Sequence, residues 1–210
     1  MLSTYYTVKG YGEHEINIQK SRFIGYVKRT ETEEEAQAFI QEIKKKNWNA
    51  NHNCSAYMIG EHDLLQKAND DGEPSGTAGV PMLEVLKKRE LKDTTVVVTR
   101  YFGGIKLGSG GLIRAYGKSA SEVINKAGII EMKLMQVMEL TIDYTLLGKL
   151  ENDLRTSKFI LKKVEYLEKV KIQVYIQSGE ENLFTFWVDE HTNGLADVKK
   201  RQTKYLEFDV

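Results

Sequence analysis

The chain has 210 residues, of which 41% are hydrophobic and 29% charged, the composition of an ordinary globular protein. Its 30 basic residues balance its 30 acidic residues, so an electrostatic site must be local rather than spread over the surface. The single cysteine, Cys54, cannot form an internal disulfide, which suits a reducing compartment. Neither a signal peptide nor a membrane-spanning stretch is apparent. The sequence therefore predicts a cytoplasmic protein with no membrane partner.

The first part of the chain combines short strands with one helix. Thr32 and Glu35 have the spacing of a capping box, which predicts a helix that begins at Thr32. Its apolar residues form one buried stripe, namely Ala36, Phe39, Ile40 and Ile43. Strand-forming runs bounded by turn residues are Tyr5–Val8, Ile16–Gln19, Phe23–Val27, Cys54–Ile59 and Leu64–Lys67.

The middle of the chain contains the least regular segments. Residues 69–77 are acidic and turn-rich, and they precede a predicted helix at Pro81–Arg89, with proline near its first turn. The valine-rich run Thr94–Tyr101 is typical of a buried strand. After a loop rich in glycine, Leu112–Ala127 is predicted to be a helix that stops at Gly128.

The pattern restarts near residue 135 with the order β-α-β-β-α-β, which predicts a ferredoxin-like arrangement. The second helix of this part is predicted to begin at a capping box, Ser178-x-x-Glu181, and to end at Asn193-Gly194. The predicted strands are Met138–Ile142, Ile160–Leu167, Val170–Ile176 and Leu206–Val210, and the first helix carries Leu146, Leu147, Leu150 and Leu154.

The segment from Arg100 to Arg114 is the most informative for function. It contains five glycines, which permit positive φ and let successive N–H groups point into one concavity ahead of the next helix. No acidic residue occurs between Thr94 and Ser121, so the cations there create a local positive field. The glycines are Gly103, Gly104, Gly108, Gly110 and Gly111, and the cations are Arg100, Lys106, Arg114 and Lys118.

Two interpretations of this loop are open. The pair Tyr101-Phe102, if exposed, would offer ring faces on which bases stack. The loop would then bind a polyanion such as RNA. Alternatively, the glycines form a tight structural turn, and Arg100 and Arg114 pair with carboxylates elsewhere.

A second candidate is the acidic loop at residues 69–77. Its carboxylates, Asp70, Asp71 and Glu73, are hard oxygen ligands, but their spacing does not fit an EF-hand. Asp and Ser side chains in such a loop more often bond turn amides and cap the next helix. We therefore expect no bound metal and no cofactor. Asp70, Asp71, Glu73 and Ser75, together with Arg22, are instead expected to support the glycine-rich loop, through ion pairs with Arg22 or Arg100.

Nucleophilic catalysis is poorly supported. His52 and Cys54 are two residues apart and would share one face of a strand, yet a lone cysteine is more often a small buried apolar residue. No His/Cys cluster has zinc spacing. The basic run Lys199-Lys200-Arg201 is expected in a hairpin, as a solvated face or as an extension of a phosphate-binding surface.

Three segments share signature residues of one family. They are Ser21-Arg22-Phe23, the stretch Asp70–Gly79, and the run that continues through Arg100-Tyr101-Phe102-Gly103-Gly104 to Leu107-Gly108. In these segments the chain resembles the YigZ/Impact family, over residues 1–128. The remainder resembles the C-terminal domain of the bacterial members.

The resemblance implies an α+β protein of two domains, 1–134 and 135–210. The first is expected to have the fold of ribosomal protein S5 domain 2 and of domain IV of elongation factor G, and the second that of domain V of the same factor. Eukaryotic relatives regulate translation through an additional domain that binds a partner of a stress kinase, and that mechanism is not carried over. By analogy of fold, the resemblance also leads us to expect that this protein associates with RNA or the ribosome.

Three functions remain open. The favoured one is a non-catalytic RNA- or ribosome-binding protein that acts in translation. The second is an enzyme that binds a nucleotide, in which Asp71 or Glu73 holds Mg²⁺ and Lys106 or Arg114 binds phosphate. The third is an interaction scaffold whose loop binds an acidic peptide of a protein partner.

Overall fold

The computed structural model describes all 210 residues, which form two compact units. One unit comprises Tyr5–Glu131 and Phe208–Val210, and the other comprises Met1–Thr4 and Met132–Glu207. Both combine helices with antiparallel sheet, so the predicted α+β class is confirmed. The division into domains 1–134 and 135–210 stays a prediction. None of the helices is both long and apolar enough to cross a membrane.

The first unit is built on a five-stranded sheet with the order β2-β3-β6-β4-β5, in which neighbouring strands are antiparallel. The elements in this half of the chain are β1 (Thr4–Val8), β2 (Gly12–Ile18), β3 (Ser21–Arg29), α1 (Glu33–Lys46), β4 (His52–Ile59), β5 (Leu65–Asn69), α2 (Gly79–Lys88), β6 (Thr94–Tyr101) and α3 (Gly108–Ala127). The strand predicted at Thr94–Tyr101 is confirmed residue for residue.

Helices cover both faces of this sheet. Side chains alternate between the two faces along each strand, so a central strand can contribute to both layers of core. Val96 and Val98 of β6 pack in one cluster with Leu86 of α2 and Val123 of α3. Val97, between them in sequence, packs in another cluster with Phe39 and the other apolar residues of α1. The unit therefore has three layers, and β6 contributes to the core on both sides.

The amino end of α1 follows the prediction. Thr32 is the N-cap, in extended conformation, and its side chain accepts a hydrogen bond from the Glu35 N–H at 3.2 Å. The Glu35 carboxylate in turn accepts from the Glu31 N–H at 2.7 Å, one residue before the position that a capping box uses. The four apolar residues predicted to be buried are those that the helix buries.

Helix α3 begins at Gly108, four residues before the predicted start. Glycine costs about 0.8–1.0 kcal/mol in a helix relative to alanine, so the glycines indicated a loop. The long buried face of α3 outweighs that cost, since packing rather than propensity stabilises most helices in proteins. Its buried residues are Leu112, Ala115, Tyr116, Ser119, Ala120, Val123 and Ile124. Gly108, Gly110 and Gly111 thus belong to the first turn of a helix.

The second unit has the predicted ferredoxin-like topology. Strand β10 pairs with β7, β7 with β9, and β9 with β8, and α4 and α5 pack their apolar residues against one side of this sheet. The elements are β7 (Ile129–Ile142), α4 (Tyr144–Thr156), β8 (Ile160–Tyr166), β9 (Val170–Gln177), α5 (Glu181–Thr192) and β10 (Asp197–Asp209).

Two expectations for this unit are wrong. Ser178 does not cap α5, because the helix begins at Glu181 with Glu180 as its N-cap and no side-chain cap bond. The last strand begins at Asp197 rather than Leu206, so Lys199-Lys200-Arg201 lies within β10 and not in a hairpin. Arg201 pairs there with Glu139 at 2.7 Å, and Lys200 pairs with Glu181 at 2.7 Å. Carboxylates of α5 and of the neighbouring strand β7 therefore neutralise two cations of a run that was predicted to lie in a hairpin.

Replacing Thr32 by alanine should lower the free energy of unfolding by about 1 kcal/mol, because one amide of the first turn loses its acceptor. Urea-induced unfolding measures the change. Thr32→Ser keeps the hydroxyl and should unfold close to wild type. Equal losses for both variants would contradict the capping role.

Candidate functional site

The amino end of α3 has no protein acceptor for its free N–H groups. The N-cap residue is Leu107, whose side chain cannot accept a hydrogen bond, and no side chain caps the helix. The first N–H groups of a helix lack intrahelical partners and carry the positive end of the helix dipole. The first turn is Gly108-Ser109-Gly110-Gly111, so there is little side-chain bulk over these groups. This helix end is suited to an anion.

Three exposed cations lie just before α3 or between its amino end and its middle. Lys106, Arg114 and Lys118 are all exposed, and none of them forms an ion pair. Arg114 and Lys118 are one turn apart on α3 and so lie on the same side of the helix. A Cβ placed on Gly110 would lie 3.5 Å from Arg114 Nη1, which shows that the guanidinium reaches back over the first turn. The positive groups predicted from sequence are therefore gathered here, with one exception.

Two clefts flank the helix end and share Leu107. One has a volume of about 400 Å³ and is lined by Glu73, Pro74, Arg100, Phe102, Lys106, Leu107, Gly108, Ser109 and Leu112. The other has a volume of about 370 Å³ and is lined by Ile18, Gln19, Leu107, Gly111, Arg114, Ala115 and Lys118. The first turn of α3 thus lies between two concave surfaces, and each contains at least one free cation.

Arg100 is the exception, because the structure places it in the interior. It is 5% exposed, and its Nη1 donates to Glu73 Oε1 at 2.8 Å. Its Nη2 donates to Ser21 Oγ at 3.3 Å, and its guanidinium lies 5.4 Å from the centroids of the Phe23 and Phe102 rings. The expectation that Arg100 is a free surface cation is therefore replaced by the alternative, an ion pair with the acidic loop.

Glu73 joins this arginine to helix α3. Its Oε1 also accepts a hydrogen bond from the Tyr116 hydroxyl at 2.7 Å, and its side chain is 4% exposed. Burial raises the pKa of the Tyr116 hydroxyl, so Tyr116 stays a donor to the carboxylate. Sequence analysis did not select Tyr116, which occupies an ordinary position in the buried stripe of α3. The one signal that could have found it is a polar hydroxyl among apolar side chains. One carboxylate thus links β6, the acidic loop and α3.

Tyr101 and Phe102 do not form one exposed pair. Tyr101 ends β6 on the α1 side of the sheet, where its hydroxyl donates to Asn47 Oδ1 at 3.1 Å. Phe102 is 44% exposed and lines the larger cleft. Phe102 follows the end of β6 and contacts the Arg100 guanidinium, whereas Tyr101 contacts Arg22, so the two rings do not form one stacking surface. Phe102 is the ring available to a base.

The first two glycines of the loop have structural roles. A Cβ on Gly103 would lie 2.0 Å from the Lys20 carbonyl oxygen, so only glycine allows this close approach of two backbone segments. The Gly103 N–H donates to Ser21 Oγ at 3.2 Å, and the Phe102 N–H donates to Asn51 Oδ1 at 2.8 Å. Gly104 has φ +86, in the region that favours glycine. The backbone amides of Phe102 and Gly103 are therefore already satisfied.

The carboxylates of the acidic loop bind three different sets of protein groups. Asp70 accepts from the N–H groups of Gly76, Ala78 and Gly79, at the amino end of α2. Burial by itself would raise the pKa of the Asp70 carboxyl, but these three donors hold it below its ordinary value. Asp71 pairs with Lys44 at 2.7 Å and accepts from the Asn53 N–H.

The other two supporting residues lie apart from this network. Arg22 pairs with Glu15 at 3.1 Å, with its guanidinium 5.0 Å from the centroid of the Tyr101 ring. It does not pair with the acidic loop. Ser75 is exposed in that loop.

Cys54 is fully buried, and its thiol donates to the Asp70 carbonyl oxygen at 3.0 Å. Burial raises the pKa of the thiol, which disfavours the nucleophilic thiolate. The Nδ1 of His52 lies 2.9 Å from the Asp71 carbonyl oxygen. Backbone carbonyls thus hold both side chains, and the geometry does not activate Cys54.

The comparisons with known proteins agree with the fold. The profile of the Impact N-terminal domain matches residues 19–124, and that of a domain of unknown function, DUF1949, matches residues 140–195. The chain is 64% identical over 207 residues to IMPACT family member YvyE of Bacillus subtilis, covering 99% of this chain and 95% of the relative. It is 42% identical over 111 residues to IMPACT family member YigZ of Escherichia coli, covering 52% and 54%.

Among solved structures, a crystal structure described as that of a hypothetical protein aligns with a TM-score of 0.62 at 27% identity. That alignment covers 96% of this chain and 99% of the other. An α+β protein of two units with these matching segments is a member of the IMPACT family, and the resemblance in the sequence is confirmed.

Removing the Glu73 carboxylate should destabilise the protein strongly. Glu73→Ala leaves the buried Arg100 charge without its partner, and breaking a buried pair in this way costs about 3–5 kcal/mol. Urea-induced unfolding measures the loss. The matched control is Glu84→Ala, because Glu84 pairs with Lys87 on the surface and such pairs contribute at most about 1 kcal/mol. Similar losses for the two variants would contradict the role given to Glu73.

Cys54 should resist alkylation in the folded protein. Its thiol is buried and its pKa is raised, so iodoacetamide at mildly alkaline pH should leave it unmodified, whereas the urea-unfolded chain should react fully. Mass spectrometry of the intact protein counts the adducts. Modification of the native chain at the rate seen in urea would contradict the burial of Cys54 and its raised pKa.

Proposed function

We propose that this protein is a non-catalytic RNA-binding protein that uses the amino end of α3 and the cations around it. The observation that carries the proposal is the group Lys106, Arg114 and Lys118, which we call the α3 cations. They are exposed, free of ion pairs and grouped in a segment, 94–121, that contains no acidic residue. Ion-paired lysines and arginines are common on the rest of the surface. Phosphates of a polyanion would supply the partners that the protein itself does not.

The uncapped end of α3 supports the same proposal. Backbone N–H groups at a helix end bind phosphate without regard to base sequence. The two clefts extend this surface on both sides of Leu107. Association with the ribosome and a role in the regulation of translation are extensions of the proposal, which rest on the family resemblance.

A nucleotide-binding enzyme is less well supported by the same geometry. That alternative assigns Mg²⁺ to Asp71 or Glu73. Asp71 is engaged by Lys44 and the Asn53 N–H, and Glu73 by Arg100 and Tyr116. Binding a metal would require either carboxylate to give up a close cationic partner, which leaves a charge unpaired.

Neutralising the α3 cations should weaken RNA binding and reduce its dependence on salt. We expect Lys106→Ala/Arg114→Ala/Lys118→Ala to lose at least about tenfold in affinity for a labelled structured RNA at about 50 mM salt, with the slope of log K against log salt lowered by about 2. Fluorescence anisotropy over a salt series gives both quantities.

The control variant loses three positive charges at other places on the surface. Lys45, Lys88 and Lys126 are exposed and do not appear in any ion pair, so Lys45→Ala/Lys88→Ala/Lys126→Ala should bind RNA close to wild type. If the two triple variants lose the same affinity, only net charge matters and the site assignment falls. Equal inhibition by polyglutamate and by unlabelled RNA would instead favour the acidic-peptide scaffold.

A further inference from the structure

The larger cleft contains apolar side chains that phosphate binding alone would not need. Its walls include Phe102, Leu107, Leu112 and Pro74. The Phe102 ring is 44% exposed, and the Arg100 guanidinium lies 5.4 Å from its centroid. Part of the ring is thus accessible to a ligand in the cleft. The cleft therefore presents an apolar, aromatic surface next to a cationic one.

One hydrogen-bond donor at this cleft has no partner. Arg100 uses Nη1 and Nη2 to bind Glu73 and Ser21, but its Nε is buried and unpaired. Buried donors in native structures are almost always satisfied. Arg100 and Phe102 line the same cleft, so an acceptor atom of a ligand bound there would supply the missing partner. Carbonyl oxygens and ring nitrogens on the edge of a nucleobase are acceptors of this kind.

The cationic part of the same cleft is placed for the backbone of that nucleotide. Lys106, Gly108 and Ser109 line it together with Phe102. A base lying against Phe102 would thus have its phosphate beside the Lys106 ammonium and the free N–H groups of α3. The apolar and cationic parts of the cleft match the two parts of one nucleotide.

We infer that this cleft takes one unpaired base of a single-stranded RNA, with the base against Phe102 and its phosphate at the amino end of α3. The inference rests on the proposed function and specifies its ligand. In a duplex the bases are stacked and paired, and side chains reach only groove edges and backbone. A cleft that holds a base face therefore selects single strands, whereas the α3 cations attract both forms.

The test compares a labelled 12-nucleotide oligo(U) RNA with a 12-base-pair RNA duplex at about 50 mM salt, by fluorescence anisotropy. We expect the single strand to bind at least about tenfold more tightly to wild type, and Phe102→Ala to lose about tenfold for the single strand while duplex binding is unchanged. Phe102→Trp keeps a ring face and should retain single-strand binding.

Two variants separate this inference from the proposed function. Lys118→Ala should weaken both RNAs to a similar extent, because it removes a phosphate contact outside the larger cleft. Phe186→Ala removes an exposed aromatic ring from α5 and should change neither. Equal binding of the two RNAs, or unchanged single-strand binding by Phe102→Ala, overturns the inference and leaves the proposed function standing. If wild type binds neither RNA, the proposed function itself is overturned.

Discussion

The buried ion pair between Arg100 and Glu73 is the interaction on which the architecture of the site depends. A carboxylate and a guanidinium removed from water are stable only when they pair with each other and form further hydrogen bonds. Glu73 bonds both Arg100 and Tyr116, and Arg100 also bonds Ser21. These contacts tie the end of β6, the acidic loop, the start of β3 and α3 to one another. The first turn of α3 is thereby held beside the end of β6.

This pair also decides which cations remain for a ligand. The acidic loop neutralises Arg100, so the positive charges left free at this surface are those of Lys106, Arg114 and Lys118. The acidic loop is engaged in a similar way: Asp70 caps the amino end of α2 and Asp71 bonds Lys44. The carboxylates of residues 69–77, which the sequence offered as candidate metal ligands, therefore stabilise the fold instead. The amino end of α3 has no such internal partner, and this contrast makes it the candidate site.

Much of the fold follows from local patterns. Strand-forming runs bounded by turn residues located most of the strands, and the stripe of Ala36, Phe39, Ile40 and Ile43 predicted the buried face of α1. The elements whose observed bounds differ from the predicted ones are those in which tertiary packing or strand pairing outweighs the local conformational preference. Gly108 to Gly111 become helical because the rest of α3 packs on the sheet. Residues 197–205 become strand because β7 offers a hydrogen-bonding edge.

The sequence by itself determined the family, the order of elements and the absence of acidic residues around the glycine-rich segment, because each is a property of neighbours along the chain. Only the tertiary structure decided that Arg100 is internal, that Tyr101 and Phe102 face different sides, and that Tyr116 shares the Glu73 carboxylate. Those outcomes depend on which groups meet across 27 and 43 residues of chain separation. Burial and ion pairing are set by such long-range contacts, and charge patterning along a sequence does not record them.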